Sequence, residues 1–523
     1  MNIQKNSTKL ICILAAGIGS RMGEYTEIIN KSLLPINFTS SLTKIINSFP
    51  KSSRFVIASG FKKENVKNFV KILNNKNIKV VNVKKFTGKG SGPALSLYSC
   101  KKYLQNSFYF IPCDTFVAGD FLKHEDNNWL GIGKFKRDYK DYCNFVTNKK
   151  FEIEKIYDKK KPKTNNFHNF VGLGFIKDFK LFWKCFNKNL IIKNYELSIV
   201  FNKFLKLKKI KTKKITWEDI GTIEKYKEIK KKYEKYDFSK TNEIIYFEKN
   251  KVIKFHTSKK DLKNKYKKYL YNRHVFPKVK MNKDFLFYDF IKAKSFYDVA
   301  SPELFQEFLK WCTVRLWKKS KEDKNFKVKC KNFYFHKTKK RVRKFFKNNE
   351  IKTDIFNRVN NQKVPKIQTL LKKIDFGSLY EGKNVFIHGD LQFDNILVLS
   401  KKNFKLIDWR PDFDGSINMG DLYYDLSKLY GGILINYKQI KKNKFSYSKK
   451  NSNIKFKLPS SRKKDLLLNE LRKYCLSNKL NFSKIKTLVA LIYLNMSPMH
   501  KHPFDKILFC YAKILMKKQI YEN

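Results

Sequence analysis

Residues 10–23 read LICILAAGIGSRMG and give the strongest indication of the fold of the N-terminal part. The uninterrupted apolar run Leu10–Ala16 leads directly into closely spaced glycines, which is typical of a buried strand entering a loop. Glycine lets the backbone approach a ligand closely, and free N–H groups in such a loop can hold phosphate oxygens. Arg21 adds a planar phosphate donor, and Lys31 supplies a second cation. The segment therefore predicts a phosphate-binding loop.

The residues that follow alternate between strand-like and helix-like patterns. Short apolar runs, separated in places by Lys-rich helical stretches such as 61–74, occur at 54–59, 78–83, 107–112, 129–135 and 169–176. Strands that alternate with helices favour a parallel sheet covered by helices on both faces. The highly charged stretch 223–240 is a closing helix or a linker. We expect the domain boundary at its end.

Further motifs follow the glycine loop in a fixed order. They are KSLLP (31–35), FTGKGSGPALSLY (86–98), IPCDTFV (111–117), IYDKKKPK (156–163) and WEDIGT (217–222). Over about residues 8–235 this order resembles the nucleotidyltransferases that activate sugar phosphates and phosphocholine with an NTP. Residues 22–28, MGEYTEI, differ from the Arg/Leu-x-Pro-Leu-Thr pattern common in that family, which leaves the acceptor open.

The resemblance assigns roles to particular residues. It implies that the nucleotide lies on Ala15, Ala16, Gly17, Gly19 and Gly92. It also implies that Asp114 and Asp219 hold Mg²⁺, that Arg21 and Lys31 stabilise the departing pyrophosphate, and that Asp158-Lys159 corresponds to a glutamate–lysine pair. The reaction needs no protein nucleophile, because alignment and charge neutralisation suffice for phosphate to attack the α-phosphorus.

A different pattern begins near residue 243. Residues 244–248 and 251–255 predict two strands joined by a tight turn at Lys249-Asn250, and 284–291 predicts another strand. Later stretches have helical patterns, notably 302–319, 363–374, 462–475 and 484–496. Strands first and helices later favour an α+β domain.

Residues 388–395, HGDLQFDN, form an H-x-D-x-x-x-x-N motif, and Asp408 follows in LIDW. In a kinase catalytic loop, the Asp of this motif accepts the substrate's hydroxyl proton, and the Asn and the later Asp hold Mg²⁺. The strands at 385–391, 395–400 and 404–409 would bring Asp390, Asn395 and Asp408 together. Lys254, on an early strand, is suited to grip the ATP phosphates.

Residues 243–523 resemble the aminoglycoside phosphotransferase/choline kinase family. Its Lys–Glu pair is incomplete here, since Asp261 is the only acid in 255–283. The resemblance implies a structural role for His388. It leaves two roles open for Trp409, Tyr423 and Tyr424, a cage for a cation or simple core packing.

The two resemblances predict an α/β Rossmann-like nucleotidyltransferase domain at 1–240 and an α+β protein-kinase-like domain of the aminoglycoside phosphotransferase type at 241–523. We expect a bifunctional enzyme that phosphorylates a choline-like alcohol or a sugar with ATP. It would then couple the product to CTP or another NTP for a surface-glycan or capsule precursor, with Mg²⁺ in both domains. In an alternative interpretation only one domain is active and the other is regulatory.

The net charge of +68, from 113 Lys and Arg against 45 Asp and Glu, favours anionic partners. A basic nucleic-acid-binding protein is therefore a non-enzymatic alternative. The lysines are dispersed along the chain, however, and no nucleic-acid motif accompanies them, so nucleic acid is not the expected partner. The nine cysteines have no metal-binding spacing, and no apolar run is long enough to span a bilayer. These features predict a cytoplasmic protein with small-molecule substrates, and they leave its oligomeric state open.

Overall fold

The computed structural model describes residues 8–123, 125–133, 138–164, 166–186, 196–233, 243–320 and 323–522. They form two compact units. The first consists of the described residues of Met1–Glu234 with Ile245–Ile253 and Asn282–Phe285, and the second of those of Lys235–Ile244, Lys254–Met281 and Leu286–Asn523. Two short segments beyond residue 240 therefore belong to the first unit. The division of the chain between 240 and 241 stays a prediction.

The N-terminal part contains a large sheet flanked by helices. The strands of this part are β1 (Leu10–Ala15), β2 (Pro35–Ile36), β3 (Thr39–Ser40), β4 (Arg54–Ser59), β5 (Ile78–Asn82), β6 (Phe108–Pro112), β7 (Thr115–Ala118), β8 (Trp129–Gly133), β9 (Cys143–Thr147), β10 (Ile153–Asp158), β11 (His168–Ile176) and β12 (Lys211–Asp219). Of these, β2 and β3 form a separate two-stranded sheet. Its helices are α1 (Glu24–Ile28), α2 (Ser41–Asn47), α3 (Lys63–Leu73), α4 (Pro93–Ser99), α5 (Phe179–Lys184), α6 (Leu197–Leu205) and α7 (Ile223–Tyr233).

The sheet begins as a parallel α/β sheet and continues as a mixed one. Its strand order is β5-β4-β1-β6-β11-β8-β12-β7, and β9 joins it through β11. The first four strands are parallel, with Leu14 opposite Ala58 and Pro112. Strand β11 runs antiparallel to both β6 and β8. The Rossmann-like α/β fold is confirmed, whereas the expectation of a parallel sheet holds only for β5-β4-β1-β6.

Strand β1 lies inside the parallel part of this sheet, between β4 and β6, and its sequence suits this position. All six residues of Leu10–Ala15 are buried, as a continuous apolar run in a parallel sheet requires. Helices α4 and α6 contribute Leu97, Val200 and Phe201 to the apolar core that Leu14 and Phe110 line from the sheet. The carboxyl end of β1 therefore opens into the glycine loop from a rigid, buried base.

After residue 242 the chain forms short strands first and mostly helices later. The strands are β13 (Glu243–Glu248), β14 (Lys251–His256), β15 (Lys280–Met281), β16 (Phe285–Asp289), β17 (Lys294–Ser295), β18 (Arg358–Val359), β19 (Gln362–Lys363), β20 (Asn384–Val385), β21 (Ile396–Ser400), β22 (Asn403–Leu406), β23 (Gly420–Asp421), β24 (Ser446–Lys450) and β25 (Asn453–Lys457). The helices are α8 (Lys259–Tyr271), α9 (Phe296–Val299), α10 (Pro302–Trp311), α11 (Phe326–Lys331), α12 (Lys337–Asn348), α13 (Ile367–Lys373), α14 (Phe376–Tyr380), α15 (Leu422–Leu434), α16 (Tyr437–Ile440), α17 (Lys464–Ser477), α18 (Phe482–Met496) and α19 (Phe504–Tyr521).

The predicted strands and helices of this part are largely present, with different limits. Strands β13 and β14 flank the turn at Lys249-Asn250, in which Lys249 has a φ of 54°. Strand β20 (Asn384–Val385) covers only the first residue of the predicted strand 385–391, because the backbone there turns into the loop of the HGD motif. Helix α10 ends at Trp311 and continues as a π-helical turn, Cys312–Leu316. The kinase-like assignment of this fold stays a prediction.

None of the helices among the described residues combines the length and the apolar content needed to cross a bilayer. All nine cysteines lie in described parts of the chain, and none of them forms a disulfide.

Candidate functional sites

The loop after β1 has the backbone geometry that its glycines predict. Gly19 and Gly23 adopt positive φ values of 72° and 50°, which glycine reaches without steric cost. A side chain at Gly19 would lie 2.9 Å from Thr26 Cγ2, whereas one at Gly17 would meet nothing within 4 Å. The exposed face of Gly17 is therefore open to a ligand. Ala15 ends β1, and Ala16 follows it as the first residue of the loop.

Lys31 is held in place by its neighbour Asn30. The Asn30 side chain donates to the backbone oxygens of Ala15 and Phe61, at 3.3 and 2.6 Å, and accepts from the Ser32 amide. These bonds fix a 3₁₀ turn, Lys31–Leu33, beside the end of β1. From this turn Lys31 Nζ reaches Asp114 Oδ2 at 2.6 Å.

The pairing of β7 with β12 brings Asp114 and Asp219 together. Asp114 follows β6 and directly precedes β7, and Asp219 ends β12. The two strands are antiparallel with Thr115 opposite Asp219, so the two carboxylates lie on adjacent positions. The Ile220 amide donates to the Asp114 carbonyl at 2.9 Å, which closes the pair.

Three predicted residues converge around Gly221. A Cβ atom on Gly221 would lie 3.0 Å from Asp219 Oδ1, 3.6 Å from Arg21 Nη2 and 3.9 Å from Asp114 Oδ2. Burial alone would raise the pKa of Asp114, but Lys31 and Arg21 outweigh it and hold that pKa below its ordinary value. Asp114 is therefore ionised at neutral pH and available to a cation.

Two residues of this site have no counterpart in the sequence prediction. Tyr142 donates its hydroxyl to Asp219 Oδ2 at 3.0 Å, and Lys225 Nζ lies 3.1 Å from the same oxygen. Burial lowers the pKa of Lys225, but Tyr142 and Asp219 more than reverse this and raise it. No local pattern marks either residue. Asp158 and Lys159 lie at the end of β10, where Lys159 Nζ is 3.9 Å from Glu196.

The carboxylates of Asp114 and Asp219 fit a hard divalent cation such as Mg²⁺, which prefers oxygen ligands and accepts one or two carboxylates with phosphate oxygens. Their present partners, Lys31 and Lys225, are themselves cations. Among the described residues there is no group of three or more His, Cys, Asp or Glu side chains that could hold a metal alone. A metal here would therefore need oxygens from the bound nucleotide.

Gly92 precedes α4 with a positive φ of 154°, and Pro93 is the first residue of that helix. Its carbonyl accepts from the amide and the hydroxyl of Ser96, both at 3.1 Å. Helix α4 packs into the same apolar core as β1, which places its N-terminus on the same unit as the glycine loop.

The C-terminal motif forms a compact loop around Asp390. Asn395 donates its side-chain amide to the Asp390 carbonyl at 2.8 Å. Strands β21 and β22 form a hairpin, and the Ile407 amide donates to the Asn395 carbonyl at 2.9 Å. Asp408, with a positive φ of 61°, therefore directly follows a residue bonded to Asn395. Lys254 Nζ, on β14, contacts Asp408 Oδ1. The structure thus brings all four predicted residues of this part together.

A buried carboxylate on α15 supports this loop. Asp425 accepts the backbone amides of His388 and Gly389, at 2.8 and 2.7 Å, and the indole N–H of Trp317 at 3.1 Å. Burial lowers the pKa of His388 to about 3, so this imidazole is neutral and serves the loop structurally. The signal for Asp425 was the run YYDLSKL, of which the prediction used only the aromatic residues.

The aromatic residues after Asp408 pack in the core. Trp409, Tyr423 and Tyr424 are each at most 6% exposed. The Trp409 indole donates to the Lys265 carbonyl at 2.9 Å, and the Tyr423 hydroxyl accepts from the Asn481 amide at 3.1 Å. Of the two roles left open, core packing fits these contacts and a cation cage does not.

Residues 11–125 match the family model described as the MobA-like NTP transferase domain. A search of curated proteins finds no match. Solved structures similar to this chain include the inositol-1-phosphate CTP transferase from T. maritima, at 18% identity and a TM-score of 0.37, with 43% of this chain and 96% of that chain covered. A putative glucose-1-phosphate thymidylyltransferase from Bacillus anthracis matches at 19% identity and a TM-score of 0.37, with 45% and 98% covered.

A nucleoside-diphosphate-sugar pyrophosphorylase from Vibrio cholerae matches at 15% identity and a TM-score of 0.35, with 42% and 99% covered. The matched residues 11–125 include all of β1 except Leu10, the glycine loop, Lys31, Gly92 and Asp114. The N-terminal part of the chain therefore contains a MobA-like NTP transferase domain.

Proposed function

We propose that the chain is a bifunctional enzyme with two phosphate-transfer sites, one in each half of the sequence. The N-terminal site would couple a phosphorylated acceptor, a sugar phosphate or a phosphorylated alcohol, to an NTP. The C-terminal site would phosphorylate a small alcohol with ATP. The product of the second reaction has the chemistry of the acceptor in the first, so the two reactions can run in sequence.

The main support for the N-terminal site is that Arg21, Asp114 and Asp219 converge around Gly221. A phosphate oxygen of the acceptor attacks the α-phosphorus, and the bond from that phosphorus to the pyrophosphate oxygen breaks. Arg21 and Lys31 offset the charge on the leaving pyrophosphate, and the loop at Gly17 holds the nucleotide phosphates. Mg²⁺ held by Asp114 and Asp219 would neutralise phosphate charge.

The main support for the C-terminal site is a pair of contacts, one between Asn395 and Asp390 and one between Lys254 and Asp408. The alcohol oxygen attacks the γ-phosphorus of ATP, the bond to the bridging oxygen breaks and ADP leaves. Asp390 accepts the hydroxyl proton. Lys254 grips the ATP phosphates, and Mg²⁺ held by Asn395 and Asp408 would neutralise phosphate charge there.

The direct test incubates the purified chain with ATP, Mg²⁺, CTP or UTP and a panel of alcohols and sugars. Mass spectrometry would detect the phosphorylated alcohol and the nucleotide-linked product, and a coupled assay would measure pyrophosphate. The proposal predicts ADP formation that depends on an alcohol and pyrophosphate release that depends on the phosphorylated acceptor. ADP without alcohol dependence would contradict the kinase half, and absence of pyrophosphate with every phosphorylated acceptor would contradict the transferase half.

The product is suited to a biosynthetic pathway that consumes activated precursors, such as surface glycan or capsule assembly. This role follows only from the chemistry of the product. Of the NTPs, CTP is the first to test, since the resemblance of the N-terminal part includes enzymes that act on phosphocholine.

A further inference from the structure

Four cationic side chains gather beside the predicted catalytic loop of the C-terminal part. Lys337 and Arg341 lie one turn apart on α12, Arg410 follows Trp409, and Lys428 lies on α15. Each of them interacts electrostatically with at least two of the others. We call this group the cation cluster.

An aromatic ring organises part of the cation cluster. Lys337 Nζ lies 3.6 Å from the centroid of the Phe333 ring, and the Arg410 guanidinium carbon lies 4.9 Å from the same centroid. Phe333 belongs to a π-helical turn, Asn332–His336, that precedes α12. Single π-helical turns are rare and occur frequently at functional sites. The ring holds two cations at one place where their mutual repulsion would otherwise separate them.

The cation cluster adjoins Asp390. Lys428 Nζ lies 2.7 Å from Asp390 Oδ1. The Arg410 amide donates to the His388 carbonyl at 3.0 Å, and a side chain on Gly389 would lie 2.7 Å from Arg410 Cβ. Lys254, which we assign to the ATP phosphates, is paired with Asp408 instead. The cluster therefore lies beside the residue that would receive the acceptor's proton.

The charges of the cation cluster are poorly balanced by the protein. Among the described residues, Lys337, Arg341 and Arg410 have no salt bridge to a carboxylate, and the acid that acts on Lys337 is Asp412. Burial lowers the pKa of Lys337 well below its ordinary value, and Arg410, Arg341 and Lys428 lower it further. Lys337, Arg341 and Arg410 are half-buried, and cations placed together in such positions cost free energy unless an anion offsets them. Asp390 pairs with Lys428 and Asp412 acts on Lys337, but among the described residues no carboxylate forms a salt bridge with Lys337, Arg341 or Arg410.

On the basis of the proposed kinase function, we propose that the acceptor of the C-terminal site is an alcohol with a negatively charged group. Lys337, Arg341 and Arg410 bind that group, which is a carboxylate or a phosphate. The planar guanidinium groups of Arg341 and Arg410 suit either anion, since both offer paired oxygens. A choline-like acceptor would bring its positive charge next to the cation cluster. Repulsion between these charges would weaken its binding, so the cluster disfavours such an acceptor.

The test compares alcohols of matched skeleton and different charge as acceptors for the full chain with ATP and Mg²⁺. One series is glycerol, glycerate and glycerol phosphate, and a second is glucose, gluconate and glucose 6-phosphate, with choline as the cationic alcohol. Phosphorylation is followed by mass spectrometry, and kcat and KM are measured for each acceptor. We expect kcat/KM to be at least about tenfold higher for an anionic acceptor than for its neutral counterpart. The carboxylate and phosphate members distinguish the two anions.

Variants locate the anion-binding group. We expect Lys337→Gln and Arg341→Gln to raise the KM of the anionic acceptor about 10- to 100-fold, with the KM of ATP unchanged. Lys340→Gln and Arg343→Gln are matched controls on the same helix, because both side chains are exposed and outside the cluster. These controls should leave both KM values unchanged.

Three results would contradict an anionic acceptor. Equal or better phosphorylation of choline or of the neutral alcohols would overturn the anionic acceptor and leave the kinase function intact. A rise in the KM of ATP in Lys337→Gln as large as that of the acceptor would assign the cluster to the nucleotide and also overturn it. If no acceptor is phosphorylated and Asp390→Asn leaves ATP turnover unchanged, the kinase function itself fails, and the inference fails with it.

Discussion

Gly221 lies where the side chains of Arg21, Asp114 and Asp219 meet. The absence of a side chain leaves space between two carboxylates, of which Asp114 directly precedes β7 and Asp219 ends β12. This space is what the proposed chemistry needs, because a cation and phosphate oxygens must enter between the acids. Only the structure shows a role for Gly221. In the sequence, the motif WEDIGT suggested a role for Asp219 and none for the glycine.

We therefore predict that Gly221→Ala lowers the rate of pyrophosphate release about 10- to 100-fold, because misplaced reacting groups cost rate steeply. The added methyl group would lie 3.0 Å from Asp219 Oδ1, so that carboxylate must shift. Gly221 has no positive φ, so the backbone tolerates alanine, and the melting temperature should stay near the wild-type value. Wild-type pyrophosphate release in a folded Gly221→Ala variant would show that the acceptor and nucleotide do not use this space.

Sequence patterns predicted some residues of the two sites and not others. Arg21, Lys31, Asp114 and Asp219 occur in ordered motifs, and the structure brings them together. Tyr142 reaches Asp219 from a loop 77 residues away in the chain. A contact of this kind depends on the path of the loop, and no spacing in the sequence reports it.

At the scale of secondary-structure elements, α15 holds the C-terminal catalytic loop through one carboxylate. We predict that Asp425→Ala lowers the free energy of unfolding of the second unit by about 2–4 kcal/mol, because two buried backbone amides lose their acceptor. Asp425→Asn keeps one acceptor oxygen and should cost less. Denaturant unfolding followed by circular dichroism measures both. Equal stability of Asp425→Ala and wild type would mean that the amides of His388 and Gly389 find other partners.

The charge of Lys337 on helix α12 lowers the stability of the folded state. Lys337 has a lower pKa in the folded chain, so the unfolded chain binds more protons and the folded state gains stability as the pH rises. The penalty is present at neutral pH and disappears as the pH approaches 10.5, the ordinary lysine value. Removal of this charge should therefore stabilise the protein at neutral pH and have less effect in alkali.

We predict that Lys337→Met raises the melting temperature of the second unit by roughly 2–4 °C at neutral pH, equivalent to about 1 kcal/mol. The gain should shrink steadily as the pH is raised. Thermal unfolding of wild type and variant across the alkaline range measures this, with Lys340→Met as the exposed control. A gain that is constant with pH would indicate a packing effect of methionine rather than removal of a half-buried charge.

Apolar runs in the sequence predicted the strands at the core of each sheet. They did not predict strands that consist mostly of polar residues. Strand β1 is buried throughout and was evident from composition. Strand β12 reads KTKKITWED and pairs with β7 on one side and β8 on the other. Its lysines interrupt the apolar pattern that would mark it as a strand. The hairpin of β24 and β25 is mostly exposed, so it lacks the apolar alternation that marks a strand. Tertiary pairing, rather than local pattern, determines both.

At the scale of the whole molecule, the net charge of +68 raises the question of nucleic-acid binding. We predict that random duplex DNA binds weakly and is released by moderate salt, since nonspecific lysine contacts depend steeply on salt concentration. CTP with Mg²⁺ should remain bound at the same salt, because backbone N–H groups of the loop at Gly17–Gly23 contribute to its binding. Parallel salt titrations with labelled duplex and with CTP measure the difference. Tight, sequence-selective duplex binding at physiological salt would contradict an exclusively small-molecule function.

We propose that the chain contains two independent sites whose reactions run in sequence. Two single variants separate them, because Asp390→Asn removes the proposed proton acceptor of one site and Asp114→Ala removes a proposed metal ligand of the other. Asp390→Asn should retain pyrophosphate release from a supplied phosphorylated acceptor, and Asp114→Ala should retain ATP-dependent phosphorylation. Neither variant alone should form the nucleotide-linked product from the free alcohol.

The most direct measurement mixes the two folded variants with the free alcohol, ATP and the second NTP, and quantifies the nucleotide-linked product by mass spectrometry. We predict that the mixture restores product formation, because the phosphorylated alcohol made by Asp114→Ala diffuses to the intact transferase site of Asp390→Asn. If instead either single variant loses both reactions, or the mixture makes no product while wild type does, the account of two independent sites is contradicted.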